Sequence, residues 1–331
     1  MIKKEFKNIL IVRTDRIGDV VLTTPAIKAL REAYPTAKIS ILVNPATKDL
    51  VEGNVYLNEV LVDDREHEHK GKGFLKLARL LRQKRFDLAI IFHTKRRTNL
   101  LCFLAGIPRR VGYKNNKFGF LLTDPIEDKR HLGEKHEAEY CLDVLKHLGI
   151  KADSLEILVP IQRKAEEWLK EFEQAHQIKA ADQIMAVHAG ASDPSKRWPE
   201  TRFVETIDIL MKCYPLKVVL IGADNIKEIS QKISSSVSLP ILDMTGKTTV
   251  GQLAVLLKRC SLLISNDSGP VHVAAGVGTP VISIFTRNQP GINPERWRPL
   301  GDKVKIVAVP SQDKDGVSAV LEAVDGLLKL C

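Results

Sequence analysis

With 331 residues, 44% of them hydrophobic and 27% charged, the chain has the composition of a soluble globular protein of two domains and not of a disordered or fibrous one. No apolar run approaches a membrane span, and aromatics at 5% argue against a stacking surface for single-stranded nucleic acid. A formal charge of +10 points to an acidic partner: nucleic acid, an anionic membrane or a phosphorylated substrate.

Asn8 to Val12 reads as a buried first strand; its apolar core is too short for a signal peptide, and Arg13 and Asp15 follow at once. The loop Arg13-Thr-Asp-Arg-Ile-Gly-Asp19 leads into a helical pattern that either starts near Thr24 or bends at Pro25. It lacks G-x-G-x-x-G, so a dinucleotide fingerprint is missing. Asp19 follows Gly18 where backbone crowding is low, and a helix N-cap is its commoner role. A helix N-terminus behind it is expected to favour its charged form. Further α/β units follow: strands at Lys38–Val43, Glu59–Val62 and Asp87–Phe92, and a helix at Phe74–Gln83. Glu66-His67-Glu68-His69 reads as a solvated loop, since no other metal ligands accompany it. From Lys95 to Lys117 the chain is strongly basic; Arg96, Arg97, Arg109 and Arg110 are candidate partners for phosphate or carboxylate. A helix at Glu134–Leu148 and a linker near Lys151–Pro160 complete a first domain, 1–155, before a second, 161–331.

In the second half a helix spans Lys164–Gln174, and the strand Ile184–Val187 ends at His188. The loop Gly190-Ala191-Ser192, with Lys196 and Arg197 beside Trp198, suits a diphosphate but is not a Walker motif. A helix at Glu200–Lys212, a strand at Lys217–Ile221, a helix at Ile226–Ser234 and the turn through Asp243, Gly246 and Thr248 lead to Leu262–Ile264, a short strand buried on both faces. It stops at Ser265-Asn-Asp-Ser-Gly-Pro270, which opens a short helix ending at Gly276 before the strand Val281–Phe285. Free N–H groups and the positive dipole end make Asp267, Ser268 and Gly269 an expected anion site. Two successive α/β sheets suggest a ligand held between two domains. Cys102, Cys141, Cys213, Cys260 and Cys331 show no C-x-x-C spacing and read as reduced, mainly buried thiols of a cytoplasmic protein.

Four motifs in order, Arg13 to Asp19 with Pro25, His188-Ala-Gly-Ala-Ser with Lys196-Arg-Trp-Pro199, Asp243-Met-Thr-Gly-Lys247, and Asn266-Asp-Ser-Gly-Pro-Val-His272, together resemble the ADP-heptose:lipopolysaccharide heptosyltransferase family, glycosyltransferase family 9. The resemblance implies an α/β protein of GT-B fold, two Rossmann-like doubly wound domains facing across a cleft, with no cofactor and no metal. It implies an inverting transfer of heptose from ADP-heptose to the inner core of lipopolysaccharide, with the acceptor on the first domain and the nucleotide-sugar on the second. By that resemblance Asp19 is the general base and Lys196 faces the donor diphosphate; Asp267 meets the donor sugar, and Ser268 and Gly269 offer N–H groups to phosphate. His272 belongs to the same motif, and Gly190, Ala191, Ser192 and Thr248 complete the donor set; Asp224 or Glu228 stands near the nucleotide ribose. The implied acceptor is acidic, which fits Arg96, Arg97, Arg109 and Arg110 and a peripheral contact with the cytoplasmic face of the inner membrane; nucleic acid is not a partner. Rival readings are a GT-B nucleotide-sugar epimerase, which needs no acceptor, and a non-catalytic binder of anionic glycolipid.

Overall fold

The computed structural model describes residues 5–152, 154–309 and 316–328. The chain divides into two compact units, Met1–Pro160 and Ile161–Cys331.

The first unit runs β1 (Asn8–Val12), α1 (Ile17–Val21), α2 (Thr24–Ala33), β2 (Lys38–Val43), β3 (Glu59–Val62), α3 (Gly73–Gln83), β4 (Leu88–Ile91), α4 (Arg96–Leu104), β5 (Arg109–Lys114), β6 (Asp124–Glu127) and α5 (Glu137–His147). Its six strands form one parallel sheet in the order β3-β2-β1-β4-β5-β6. The central strands β1 and β4 are continuous apolar runs because helices cover both faces of such a sheet. Pro25 does not bend one long helix; the chain breaks between α1 and α2, and Pro25 sits in the first turn of α2, where its missing N–H leaves no bond unmade. At the break Thr23 Oγ1 donates to the Asp19 carbonyl and Thr24 Oγ1 to that of Val21, at 2.8 and 2.7 Å.

The second unit runs α6 (Arg163–Ala175), β7 (Gln183–His188), α7 (Glu200–Cys213), β8 (Leu216–Leu220), α8 (Lys227–Ser236), β9 (Leu242–Asp243), α9 (Val250–Arg259), β10 (Leu262–Asn266), α10 (Gly269–Gly276), β11 (Val281–Phe285), α11 (Pro294–Trp297), β12 (Val304–Ala308) and α12 (Gly316–Leu328). Its parallel sheet has the order β12-β11-β10-β7-β8-β9. Counted within each unit, both sheets are ordered 3-2-1-4-5-6, the doubly wound Rossmann arrangement. In such a sheet the crossovers diverge between the first and fourth strands, and ligands bind at the carboxyl ends there. Those positions are β1 beside β4 in the first unit and β7 beside β10 in the second.

Among the described residues no helix is long and apolar enough to cross a membrane. Cys102, Cys141 and Cys260 are buried free thiols, Cys213 is exposed, and Cys331 lies outside the described residues.

Candidate functional site

In the first unit the loop after β1 is built on a buried guanidinium. Arg13 is 1% exposed. Its Nη2 donates to Asp19 Oδ1 at 2.6 Å and to Glu137 Oε1, on α5, at 3.0 Å. Its Nε lies 3.1 Å from Asp15 Oδ1. Three carboxylates therefore share one cation, and Arg130 approaches the same Glu137 Oε1 at 4.0 Å. Asp19 is not a cap: the N-cap of α1 is Arg16, and the Asp19 side chain turns to Arg13 instead.

The electrostatics also differ from the expectation. Burial, opposed by Arg13 and reinforced by Asp15 and Glu137, pushes the Asp19 carboxyl up to about 6, so desolvation outweighs the attraction of Arg13. Burial raises Asp15 as well, again against Arg13. Arg13 itself is held above the ordinary arginine range, because Asp15 and Asp19 overcome the opposite effect of its burial. His93, after β4, is pushed down to about 3 by burial and by the neighbouring Arg13 and Lys95, so its ring stays neutral beside Thr14 Oγ1 at 3.1 Å. A group at that value is a poor proton acceptor near pH 7, whereas a carboxylate near 6 is a competent one.

Asp15 opens onto a cavity of about 680 Å³. Its other lining residues are Arg16, Asn44, Arg65, His93, Lys95, Arg96, Arg97 and Lys117, all from loops that follow the first five strands or from the start of α4. Six cations thus face one carboxylate. The Lys117 ammonium, followed by partial burial, holds Lys95 below the usual lysine range, as two cations side by side require.

The four arginines read as one acceptor patch are not together. Only Arg96 and Arg97 line the cavity. Arg97 is committed to Asp63, which is 0% exposed, by two hydrogen bonds of 2.8 and 2.6 Å. Arg109 and Arg110 begin β5 and pair with Leu88 and Ala89 at the start of β4, the amino edge of the sheet. There Arg109 binds Asp124 and Arg110 donates to the carbonyls of Leu121 and Ile107. The loop with Glu66 to His69 is only partly solvated: His69 is buried, and its Nδ1 accepts the Asp64 N–H at 3.0 Å. Among the described residues no group of three or more His, Cys, Asp or Glu side chains is placed to hold a metal ion.

In the second unit the loops after β7 and β10 interlock. Asn266 Nδ2 donates to the Ala189 carbonyl at 2.7 Å, and its Oδ1 accepts the Trp198 N–H at 3.0 Å. Trp198, buried edge-to-face against Phe203, anchors the strap that carries Lys196. Lys196 Nζ meets Asp267 Oδ2 at 2.5 Å, so the fold does bring this predicted pair together. Burial raises Asp267 although Lys196 opposes it. Arg287, which sequence reasoning missed, closes the same strap through Asp193 Oδ2 at 2.6 Å.

Ser268 is the N-cap of α10, Gly269 begins that helix, and His272 is buried within it. Gly190 is glycine for packing: a Cβ there would lie 2.6 Å from Ile226 Cδ1. Ala191 gives its carbonyl to Arg197, while Ser192 is exposed. Asp224 and Glu228 are exposed beyond β8, Asp224 pairing with Lys227, and Thr248 lies after β9 next to Thr249, the N-cap of α9.

A family model described as glycosyltransferase family 9 (heptosyltransferase) matches residues 74–320. The chain belongs to that family. It is therefore a glycosyltransferase of the heptosyltransferase type, and the expected GT-B class stands for the fold. A lipooligosaccharide heptosyltransferase 2 of Haemophilus influenzae is 25% identical over 310 residues, covering 91% of this chain and 88% of the relative. The crystal structure of a family 9 glycosyl transferase from Veillonella parvula is 26% identical with a TM-score of 0.87, covering 98% of both chains. The E. coli ADP-heptose lps heptosyltransferase II has a similar fold, with a TM-score of 0.81 at 21% identity over 98% of both chains.

Proposed function

We propose that this family 9 enzyme transfers heptose from ADP-heptose, with inversion, to the acidic inner core of lipopolysaccharide, working in the cytoplasm with peripheral contact at the inner membrane. The observation that carries the reading is the pairing of a half-buried carboxylate near pKa 6, Asp19, with a neighbouring cavity of six cations. The cations suit carboxylates and phosphates on the acceptor. The names of the relatives, a lipooligosaccharide and an ADP-heptose lps enzyme, supply the sugar and acceptor class.

In the proposed reaction the acceptor hydroxyl attacks the anomeric carbon of the donor and gives its proton to Asp19. The new C–O bond forms as the bond to the β-phosphate breaks, and ADP leaves with the electron pair. Charge growing on the diphosphate is met by Lys196 and by the N–H groups of Ser268 and Gly269 at the start of α10. Asp267 releases Lys196 to the phosphate and turns to the donor sugar. Cations and helix dipole supply the charge neutralisation a metal would otherwise provide, so the reading includes metal independence.

The test is incubation with ADP-heptose with and without a deep-rough lipopolysaccharide acceptor. ADP release that needs acceptor, with a product heavier by one heptose, is the expected outcome. A changed sugar without acceptor would instead identify an epimerase, and neither outcome a glycolipid binder.

A further inference from the structure

Two stretches of the first unit carry cations and no carboxylate: seven Lys and Arg in residues 70–86 and seven in residues 95–123. They build α3, α4 and the turn Gly119–Leu121. The inner faces of the two helices, Leu77 and Leu81 on α3 and Leu101 and Cys102 on α4, lie in one core cluster, so their outer faces look to the same side. Large apolar side chains stand in water there: Leu75 is 60%, Phe103 48% and Phe120 77% exposed. The rings of Phe118 and Phe120 meet edge to face at 5.7 Å, and the Arg96 guanidinium lies over the Phe118 ring at 5.8 Å. Among the described residues, Lys72, Lys76, Arg79 and Lys114 are exposed and none forms an ion pair.

A merely solvated helix face mixes charge signs and gains nothing by exposing phenyl rings. One sign of charge interleaved with Phe and Leu is the chemistry of an interfacial surface, in which rings enter the headgroup boundary and cations meet lipid phosphates. We propose that the outer face of α3, α4 and the turn at residues 119–121 docks on an anionic lipid bilayer. Arg96 and Lys117 belong both to this face and to the basic cavity, so a glycolipid in the bilayer would present its sugars at the cavity. The choice of a bilayer over an acidic protein rests on the proposed glycolipid acceptor.

The test is co-sedimentation of the full chain with vesicles of phosphatidylethanolamine and phosphatidylglycerol, against vesicles of phosphatidylcholine alone. The wild type should sediment with the first and far less with the second. Lys76→Glu with Arg79→Glu should lower the partition roughly tenfold or more, since each basic residue near an anionic surface is worth roughly fivefold. Phe103→Ser with Phe120→Ser should lower it roughly fivefold and leave a weaker, more salt-sensitive binding. In a Phe120→Trp variant the added indole emission should shift to the blue on adding anionic vesicles. Wild-type sedimentation no better with anionic vesicles, or variants that bind like wild type, would overturn the proposal. So would light scattering that shows a dimer lost in Phe103→Ser with Phe120→Ser, which would make the face a contact between two copies. Transfer to a deacylated, water-soluble core acceptor separates this from the functional reading. The variants should keep it, and its absence in the wild type would sink heptosyl transfer while the vesicle result still judged the face.

Discussion

The two sheets share one strand order, yet their switch points are chemically opposite. The first, at the ends of β1 and β4, gathers four formal charges, Arg13 and Glu137 buried and Asp15 and Asp19 half-buried. The second, at the ends of β7 and β10, uses small residues, one Lys–Asp pair and the start of α10. The same topology thus delivers a carboxylate whose proton affinity is raised by desolvation in one place and, in the other, a Lys–Asp pair beside a helix start, the setting we propose for the donor diphosphate. Strand order places the loop ends, and loop composition decides what they do.

The comparison breaks most sharply at Asp19. Asp19→Asn should lower turnover by on the order of a hundredfold to ten-thousandfold while leaving ADP-heptose binding near wild type. Stability has its own sign. A carboxyl raised from 3.8 to about 6 in the native state contributes stability that is full below 3.8 and lost as pH rises through about 6. Asp19→Asn should therefore raise Tm at pH 8 more than at pH 4, measured by calorimetry; near-full turnover would move the base to Asp15. On the other side, Lys196→Ala should lower turnover roughly a hundredfold at saturating donor, with acceptor KM little changed. Unchanged turnover would remove Lys196 from the diphosphate.

Arg96 and Arg97 sharpen the first half of the comparison, because only one of them is uncommitted to a carboxylate. Arg96→Glu should raise acceptor KM about tenfold and spare donor KM and Tm. Arg97→Glu should cost about 3 kcal/mol of stability, because buried Asp63 loses its partner and gains a like charge. Equal effects on Tm would show the two arginines to be equivalent after all. A smaller effect is expected from Glu137→Gln. Glu137 raises Asp19, so its neutralisation should move the acid limb of the kcat/KM profile, expected near pH 6, to lower pH. A limb that stays in place would uncouple Glu137 from the base. Smallest of all, EDTA should leave transfer intact; loss restored by Mg²⁺ would contradict metal independence.

Much of this was legible in the chain. The apolar runs that became β1, β4, β7, β8, β10 and β11 mark both sheets, because strands buried on two faces must be continuously hydrophobic. Edges were harder. β6 is the strand Asp124-Pro-Ile-Glu127, half solvated and polar, and it carries no such signal. α4 reads in the sequence only as a basic patch because its cationic face hides the buried Leu101 and Cys102. At the site, Asp19, Lys196 and Asp267 stood out as motif residues. Glu137 could not, since nothing local to it announces Arg13, 124 positions away. Nor could sequence divide the arginines, as the carboxylates of Arg97 and Arg109 and the carbonyls of Arg110 are brought to them by the fold.

The reach from Arg13 to Glu137 also bears on how the enzyme is made. β1 and its loop are made before the other strands of the first sheet, but α5 follows every one of them. A growing chain that stops short of α5 holds Arg13 with at most two of its three carboxylates, and the proton affinity of Asp19 is not yet set. The Arg13 cluster is thus the last feature of the first unit to be completed, and only a chain that has threaded the whole first sheet acquires it.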